Sequence, residues 1–306
     1  EALNQPEKLS KLAQTGVRDG AVVPSGFHAL DRITSGWQPG DLIILAARPG
    51  MGKTAFALNL LINAAKDRRR QTPGAIFSLE MSKEQLATRV WCAESMVPME
   101  SVRSGDLPAQ RWDKLYNGFT TLHKLPVFID DTAAIPVAEM MRKCRQLKHE
   151  HGVGLVVVDY LQLMTASQLS RSATREQQIS DISRSLKQLA KEIQAPVIAL
   201  SQLNRGVESR TDKRPLLSDL RESGAIEQDA DLILFLYRDD YYQQMKGGDG
   251  GEEAPRQPGA ASPTELIIAK HRSGSTGKVE IQFHASYTLF SNMPHDAAPP
   301  RETQLG

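Results

Sequence analysis

The sequence predicts an α/β fold, a mostly parallel central sheet flanked by helices, with an antiparallel extension at its C-terminal end. Three observations carry this. Short apolar runs recur at 42–46, 75–79, 127–129, 155–158, 197–200 and 232–236, without the alternation of a half-exposed strand. Such runs suit strands covered on both faces. Helical patterns lie between them. After position 236 the pattern changes to short alternating runs at 265–270, 279–283 and 287–290, which reads as antiparallel pairing.

In order along the chain, residues 1–20 read as a linker with Leu3, Leu9, Leu12 and Ala13 set among charges. A short amphipathic helix and a frayed terminus are both compatible with that pattern. The first residue is Glu1, so the sequence reads as a fragment preceded by a further domain. Residues 21–293 form the main domain. Its clearest helix spans 175–194, with Ile179, Ile182, Leu186, Leu189 and Ile193 on one face. Thr174 and Gln177 are spaced as a capping box, and Ser82 and Gln85 repeat the arrangement. Residues 247–263 are rich in Gly, Pro, Glu and Ala and read as a flexible surface loop, and 294–306 as a disordered tail.

The chain has 306 residues, enough for one large α/β domain or two smaller ones. Its net charge is +1, from 37 basic and 36 acidic residues, so any nucleic-acid contact must come from local basic loops. Two distant cysteines, Cys92 and Cys144, give neither a disulfide framework nor zinc-ligand spacing. No apolar run approaches the ~20 residues that span a bilayer. These features together predict a cytoplasmic protein.

The first apolar run leads into Ala47-Arg48-Pro49-Gly50-Met51-Gly52-Lys53-Thr54, and a helical pattern begins at Ala55. Strand, glycine-rich turn and helix is the order a P-loop requires. Gly50 and Gly52 let successive amides converge on an anion, and the helix N-terminus adds partial positive charge. Arg48 through Ala55 are therefore the expected ATP-binding residues. Lys53 reaches the β- and γ-phosphates, and the Thr54 hydroxyl holds Mg²⁺. Ala47 stands where glycine usually opens the motif.

Hydrolysis needs more than a cradle. The run Leu155-Val156-Val157-Val158 ends in Asp159, the Walker B arrangement, which makes Asp159 the second candidate metal residue. Glu80 ends the run 75–79. On a strand next to the P-loop strand it would stand at the carboxyl edge and serve as general base for the attacking water. A helix-entry acid is the competing reading. Gln202 follows the run 197–200 and reads either as a γ-phosphate sensor or as a strand-end backbone partner.

With these motifs in place, the chain resembles the C-terminal motor domain of DnaB-type replicative DNA helicases, within the RecA-like ATPases. The matching segments include Ser25-Gly26-Phe27-His28-Ala29-Leu30-Asp31, Phe77-Ser78-Leu79-Glu80-Met81, Val158-Asp159-Tyr160-Leu161-Gln162-Leu163 and Ala199-Leu200-Ser201-Gln202-Leu203. Further along are Asp219-Leu220-Arg221-Glu222-Ser223-Gly224, Gln228-Asp229-Ala230-Asp231 and Lys270-His271-Arg272-Ser273-Gly274. Ala47 is ordinary in this family.

The resemblance implies a homohexameric ring that moves 5′ to 3′ on single-stranded DNA, with nucleotide sites between subunits. It implies that Arg272 is an arginine finger on a neighbour's γ-phosphate, with Lys270 beside it. Without the resemblance that pair reads as a solvated basic hairpin. It also implies that Arg221, Glu222 and Gly224 contact DNA phosphates, largely through main-chain groups, and that primase and a helicase loader are partners in the replisome. The loops after Asp159 and Gln202 carry Arg171, Arg175, Arg205, Arg210, Lys213 and Arg214, but no aromatic residue for base stacking follows Gln202 before Arg221. Two other readings stand beside this one: another RecA-like ATPase, such as a recombination mediator or clock-type hexamer, and a non-catalytic ATP-binding scaffold on DNA.

Overall fold

A computed structural model of the chain describes residues 22–159, 161, 174–220, 224–247 and 261–294. The segments read as the N-terminal linker and C-terminal tail fall almost wholly outside these residues. The apolar runs form strands β1 (Leu42–Ala47), β2 (Gly74–Ser78), β3 (Val127–Asp130), β4 (Leu155–Asp159), β5 (Val197–Gln202) and β6 (Leu232–Tyr237). They are followed by β7 (Ala261–His271), β8 (Gly277–His284) and β9 (Leu289–Asn292). Among the described residues these make one nine-stranded sheet in the order β3-β2-β4-β5-β1-β6-β7-β8-β9. The first six strands run parallel, and β7 to β9 add on antiparallel.

Each parallel strand buries alternate residues on opposite faces, which is why the runs lack polar alternation. In β1, Ile43, Leu45 and Ala47 join one core, while Leu42, Ile44 and Ala46 join the other. The first core receives the helix Lys53–Lys66, through Phe56, Leu60 and Leu61. The second receives the helix Arg175–Ile193, through the predicted Ile179, Ile182, Leu186, Leu189 and Ile193. Both capping boxes form, at Thr174 with Gln177 and at Ser82 with Gln85.

The strand order corrects one expectation. β2 is not next to the P-loop strand; β4 and β5 lie between them. Sequence order does not fix spatial order in a parallel sheet, because each connection is a crossover that is free to skip places.

The segment 247–263 is shorter as a loop than its composition suggests. β7 begins at Ala261, and 248–260 lie outside the described residues. Pro263 sits opposite Gln282 on β8, beyond the last β6 residue paired with β7, near the start of the strand where proline is tolerated. The antiparallel extension also braces the P-loop helix. Phe56 packs between Phe27 and Phe290, at ring-centroid distances of 5.1 and 5.2 Å. The Phe290 N–H donates to Asn59 Oδ1 at 2.6 Å.

Candidate nucleotide site

The turn between β1 and the helix Lys53–Lys66 takes its shape from two glycines. Gly50 has φ +81° and Gly52 φ +94°, in the left-handed region. Both positions are also crowded: a Cβ on Gly50 would lie 2.5 Å from the Tyr241 hydroxyl, and one on Gly52 would lie 3.0 Å from the Phe290 ring. Lys53 is the first helical residue, and no side chain caps the helix. The amides of Lys53, Thr54 and Ala55 thus begin a helix whose first turn lacks intrahelical acceptors, the electropositive end that suits phosphate. Met51 buries its side chain in the core and Pro49 has no N–H, so their part in the cradle is its backbone path. Arg48 is also buried. It donates through Nη1 to the Leu203 carbonyl at 2.8 Å and through Nε to Glu208 Oε1 at 2.7 Å.

The Thr54 hydroxyl donates to Asp159 Oδ2 at 2.7 Å. Asp159 is fully buried at the end of β4, and among the described residues its Oδ1 has no hydrogen-bond partner. An orphaned buried carboxylate oxygen beside a hydroxyl is a hard-oxygen pair that fits Mg²⁺. Among the described residues no group of three or more His, Cys, Asp or Glu could hold a metal unaided. A P-loop Mg²⁺ fits that finding, because most of its ligands are phosphate oxygens and water.

β2 and β4 are paired so that Ser78 faces Asp159, and the Leu79 N–H donates to the Asp159 carbonyl at 2.7 Å. Glu80 is the next residue and is exposed. Pairing with the Walker B strand, rather than with β1, therefore delivers it to the site. Burial pushes the Lys53 ammonium down, against the opposing charges of Asp159 and then Glu80. Gln202 ends β5 opposite Ala47, half-buried at the start of the P-loop.

Arg89 completes this cluster and carries no motif. Burial pushes its guanidinium down, and Asp159 and Glu80 oppose the shift. It sits on the helix Lys83–Ser95, three residues after buried Leu86 and four before buried Ala93. A cation at i+3 on an apolar stripe is the signal that could have found it.

Arg272 and Lys270 stand elsewhere. Arg272 donates from its backbone N–H to the Asp231 carbonyl at 2.8 Å, from Nη1 to Asp231 Oδ1 at 3.0 Å and from Nη2 to the Gln228 carbonyl at 3.1 Å. Lys270 donates to the Glu227 carbonyl and, at 3.4 Å, to that of Gln228. Asp231 also accepts from the Leu42 N–H at 2.8 Å and from Lys187. Leu42 opens β1 and Ala47 closes it. The basic pair is therefore at the amino edge of the sheet and the cradle at its carboxyl edge. At about 3.3 Å per residue, the five steps from Leu42 to Ala47 span roughly 17 Å. The structure does not bring Arg272 or Lys270 to the P-loop of their own chain.

Of the expected DNA contacts, Arg221 and Glu222 lie outside the described residues, as does Arg171. Gly224 opens the helix Gly224–Asp229, with open space where a Cβ would be. Two of the basic loop residues are paired within the chain, Arg210 with Asp219 at 2.6 Å and Arg214 with Glu265 at 2.6 Å. Lys213 lies over the Tyr242 ring.

Residues 22–292 match the family model described as the DnaB-like helicase C terminal domain. The replicative DNA helicase DnaB of Geobacillus stearothermophilus is 49% identical over 278 residues, which cover 90% of this chain and 58% of that protein. The replicative DNA helicase DnaC of Bacillus subtilis is 48% identical over 271 residues, covering 89% and 56%. The chain thus spans somewhat more than half the length of these relatives. Among solved structures, the ATPase domain of G40P superposes with a TM-score of 0.80 at 38% identity, covering 95% of this chain and 98% of that one. A DnaB-like replicative helicase, described with its interactions with primase, gives 0.82 at 38% identity, covering 96% and 67%. A KaiC-like protein from Pyrococcus horikoshii gives 0.56 at 16% identity over 89% of this chain and 99% of that one, a likeness of fold alone. The P-loop, the Walker B strand and the mixed sheet thus sit within one continuous match, and the chain belongs to the DnaB-like helicase C-terminal domain family.

Proposed function

We propose that the chain is the ATP-hydrolysing motor of a replicative DNA helicase, acting as a homohexameric ring that moves 5′ to 3′ on single-stranded DNA and separates duplex at the fork. The observation that carries this is the Thr54 hydroxyl bonded to the buried Asp159 carboxylate with its orphaned oxygen, set beside Lys53 and Glu80. ATP is the substrate. Its phosphates lie against the amides that open the helix at Lys53, and the Lys53 ammonium meets the β- and γ-phosphates. Thr54 and Asp159 would hold Mg²⁺, which when bound neutralises phosphate charge. Glu80 accepts the proton of the attacking water, and Gln202 reads the γ-phosphate from the neighbouring strand end. Arg89 is a further cation facing the same two carboxylates.

The finger comes from the next subunit. Arg272 at the amino edge of one sheet meets the carboxyl edge of its neighbour, with Lys270 alongside, and stabilises the charge of the transition state. Arg221, Glu222 and Gly224 hold DNA phosphates without reading bases, which suits a motor that passes any sequence. Primase and a loader are partners of the full-length protein, which works in the cytoplasm at the replisome. Among the described residues no helix is long and apolar enough to cross a membrane.

The test is a forked duplex with a 5′ tail, incubated with the full-length protein, ATP and Mg²⁺. Strand separation by the wild type, with Glu80→Gln binding nucleotide but releasing no phosphate, is the expected result. Turnover without strand separation favours another RecA-like ATPase, and binding without turnover in the wild type favours a scaffold. Unchanged turnover in Glu80→Gln removes Glu80 as the base.

A further inference from the structure

Arg48 sits inside the phosphate cradle, yet its guanidinium is spent on residues beyond β5. It is 8% exposed, bonded on one side to the Leu203 carbonyl and on the other to the Glu208 carboxylate. A buried arginine so placed is a stiff link, because breaking either bond leaves a desolvated charge short of a partner. The P-loop backbone takes part as well, since the Ala47 carbonyl accepts the Leu203 N–H at 3.2 Å.

The far side of this link is a closed excursion of the chain. Leu203 forms an antiparallel bridge with Leu220, and the Asn204 N–H donates to the Asp219 carbonyl at 2.8 Å. The Asp219 carboxylate gathers the excursion, accepting from Arg210 and, at 2.7 Å, from the Leu216 N–H. Both ends of the excursion are thus fastened to one point, which Arg48 fastens to the P-loop. The next residue after Leu220 is Arg221.

We propose that the Arg48–Glu208 ion pair is a positioning contact that couples the nucleotide cradle to the excursion 203–220 of the same subunit, the loop read as DNA-facing through Arg205, Arg210, Lys213 and Arg214. The proposal rests on the reading of those residues as DNA contacts. A cradle that adjusts to the γ-phosphate must carry Leu203 and Glu208 with it, and Leu220 follows through its bridge. By reciprocity, DNA held along the excursion biases the cradle. Glu208 lies outside the cradle and reaches it through Arg48.

The experiment measures steady-state ATP hydrolysis by the full-length protein with and without oligo-dT, for the wild type, Glu208→Ala and Glu208→Gln. The expected result is an unchanged basal kcat and KM, with a melting temperature lowered in Glu208→Ala by the unpaired Arg48 and stimulation by oligo-dT reduced about 5-fold or more. Glu208→Gln, which retains a hydrogen-bond acceptor without the charge, falls between the two. Full stimulation in Glu208→Ala overturns the proposal. So does an equal fall of basal and stimulated rates, the mark of a merely structural contact. A wild-type enzyme that neither binds nor responds to oligo-dT overturns instead the reading of the excursion as DNA-facing, and the coupling with it.

Discussion

A ring whose sites are shared makes a quantitative prediction about mixing two dead subunits. Arg272→Ala keeps an intact cradle and loses the finger; Lys53→Ala keeps the finger and loses the cradle. Alone, the first should lose 10³–10⁵ in turnover, about 4–7 kcal/mol of transition-state stabilisation. The separation of roughly 17 Å along β1 between Arg272 and its own P-loop exceeds any side chain's reach, so Arg272 does not act as a finger on its own subunit's site. In an equimolar random mixture, about one interface in four joins an intact cradle to an intact finger. Hydrolysis should therefore rise from near zero in each parent to as much as about a quarter of the wild-type rate in the mixture, less if neighbouring sites must fire together. Phosphate release, measured across a range of mixing ratios with native mass confirming mixed rings, checks this. Mixed rings as inactive as their parents would refute the shared site, as would near-normal turnover by Arg272→Ala alone.

Two further predictions concern buried charge. Thr54→Val removes the hydroxyl that donates to Asp159 Oδ2 and leaves a fully buried carboxylate lacking that bond. Without nucleotide it should cost about 1–3 kcal/mol, read as a lower urea midpoint, and an unchanged midpoint would show that the pair carries no stability. Burial first, and then the charge of Asp231, raise the Asp41 carboxyl from 3.8 to about 6, while Lys187 and His271 oppose the rise. A raised carboxyl favours the fold at low pH, and that contribution is lost as pH climbs from about 4 through about 6. Two units correspond to about 3 kcal/mol, reduced to about 1–2 kcal/mol by partial exposure. Asp41→Asn should therefore stabilise the protein at pH 7.5 and not at pH 4, as measured by thermal melts at the two values; a gain that is equal at both would dismiss Asp41 as the titrating group.

The strands and the cradle were legible because their causes are local. Apolar runs that must be covered on both faces, glycines that must reach positive φ, and capping residues three apart leave marks in adjacent positions. What was not legible depends on which strand lies beside which. Glu80 follows β2 by two residues, but it comes near Asp159 only because β2 pairs with β4, and no local pattern specifies that crossover. Arg89 was missed for the same reason: its meaning lies in carboxylates 9 and 70 residues away in sequence, while its own neighbourhood is an ordinary helix. Arg272 drew attention only through the family motif, since a basic residue at a strand end is ordinarily solvated.

The helix Gly224–Asp229 gives the two edges of the sheet a common part. It begins at the last of the proposed DNA contacts, and its final carbonyls, those of Glu227 and Gln228, hold Lys270 and Arg272. Asp231 fixes the same arginine while accepting the N–H of Leu42, the first residue of the P-loop strand. Moving this short helix by even part of a turn would therefore change the donors available to a neighbour's γ-phosphate, because the carbonyls that orient them move with it. The excursion 203–220, fastened to the cradle by Arg48, ends one residue before Arg221. One stretch of chain thus leaves the carboxyl edge at β5, passes the proposed DNA contacts and arrives at the amino edge holding the proposed finger. Two nucleotide sites, a subunit's own and its neighbour's, would then respond to the same segment, which is the physical requirement for sites around a ring to act in order rather than at random.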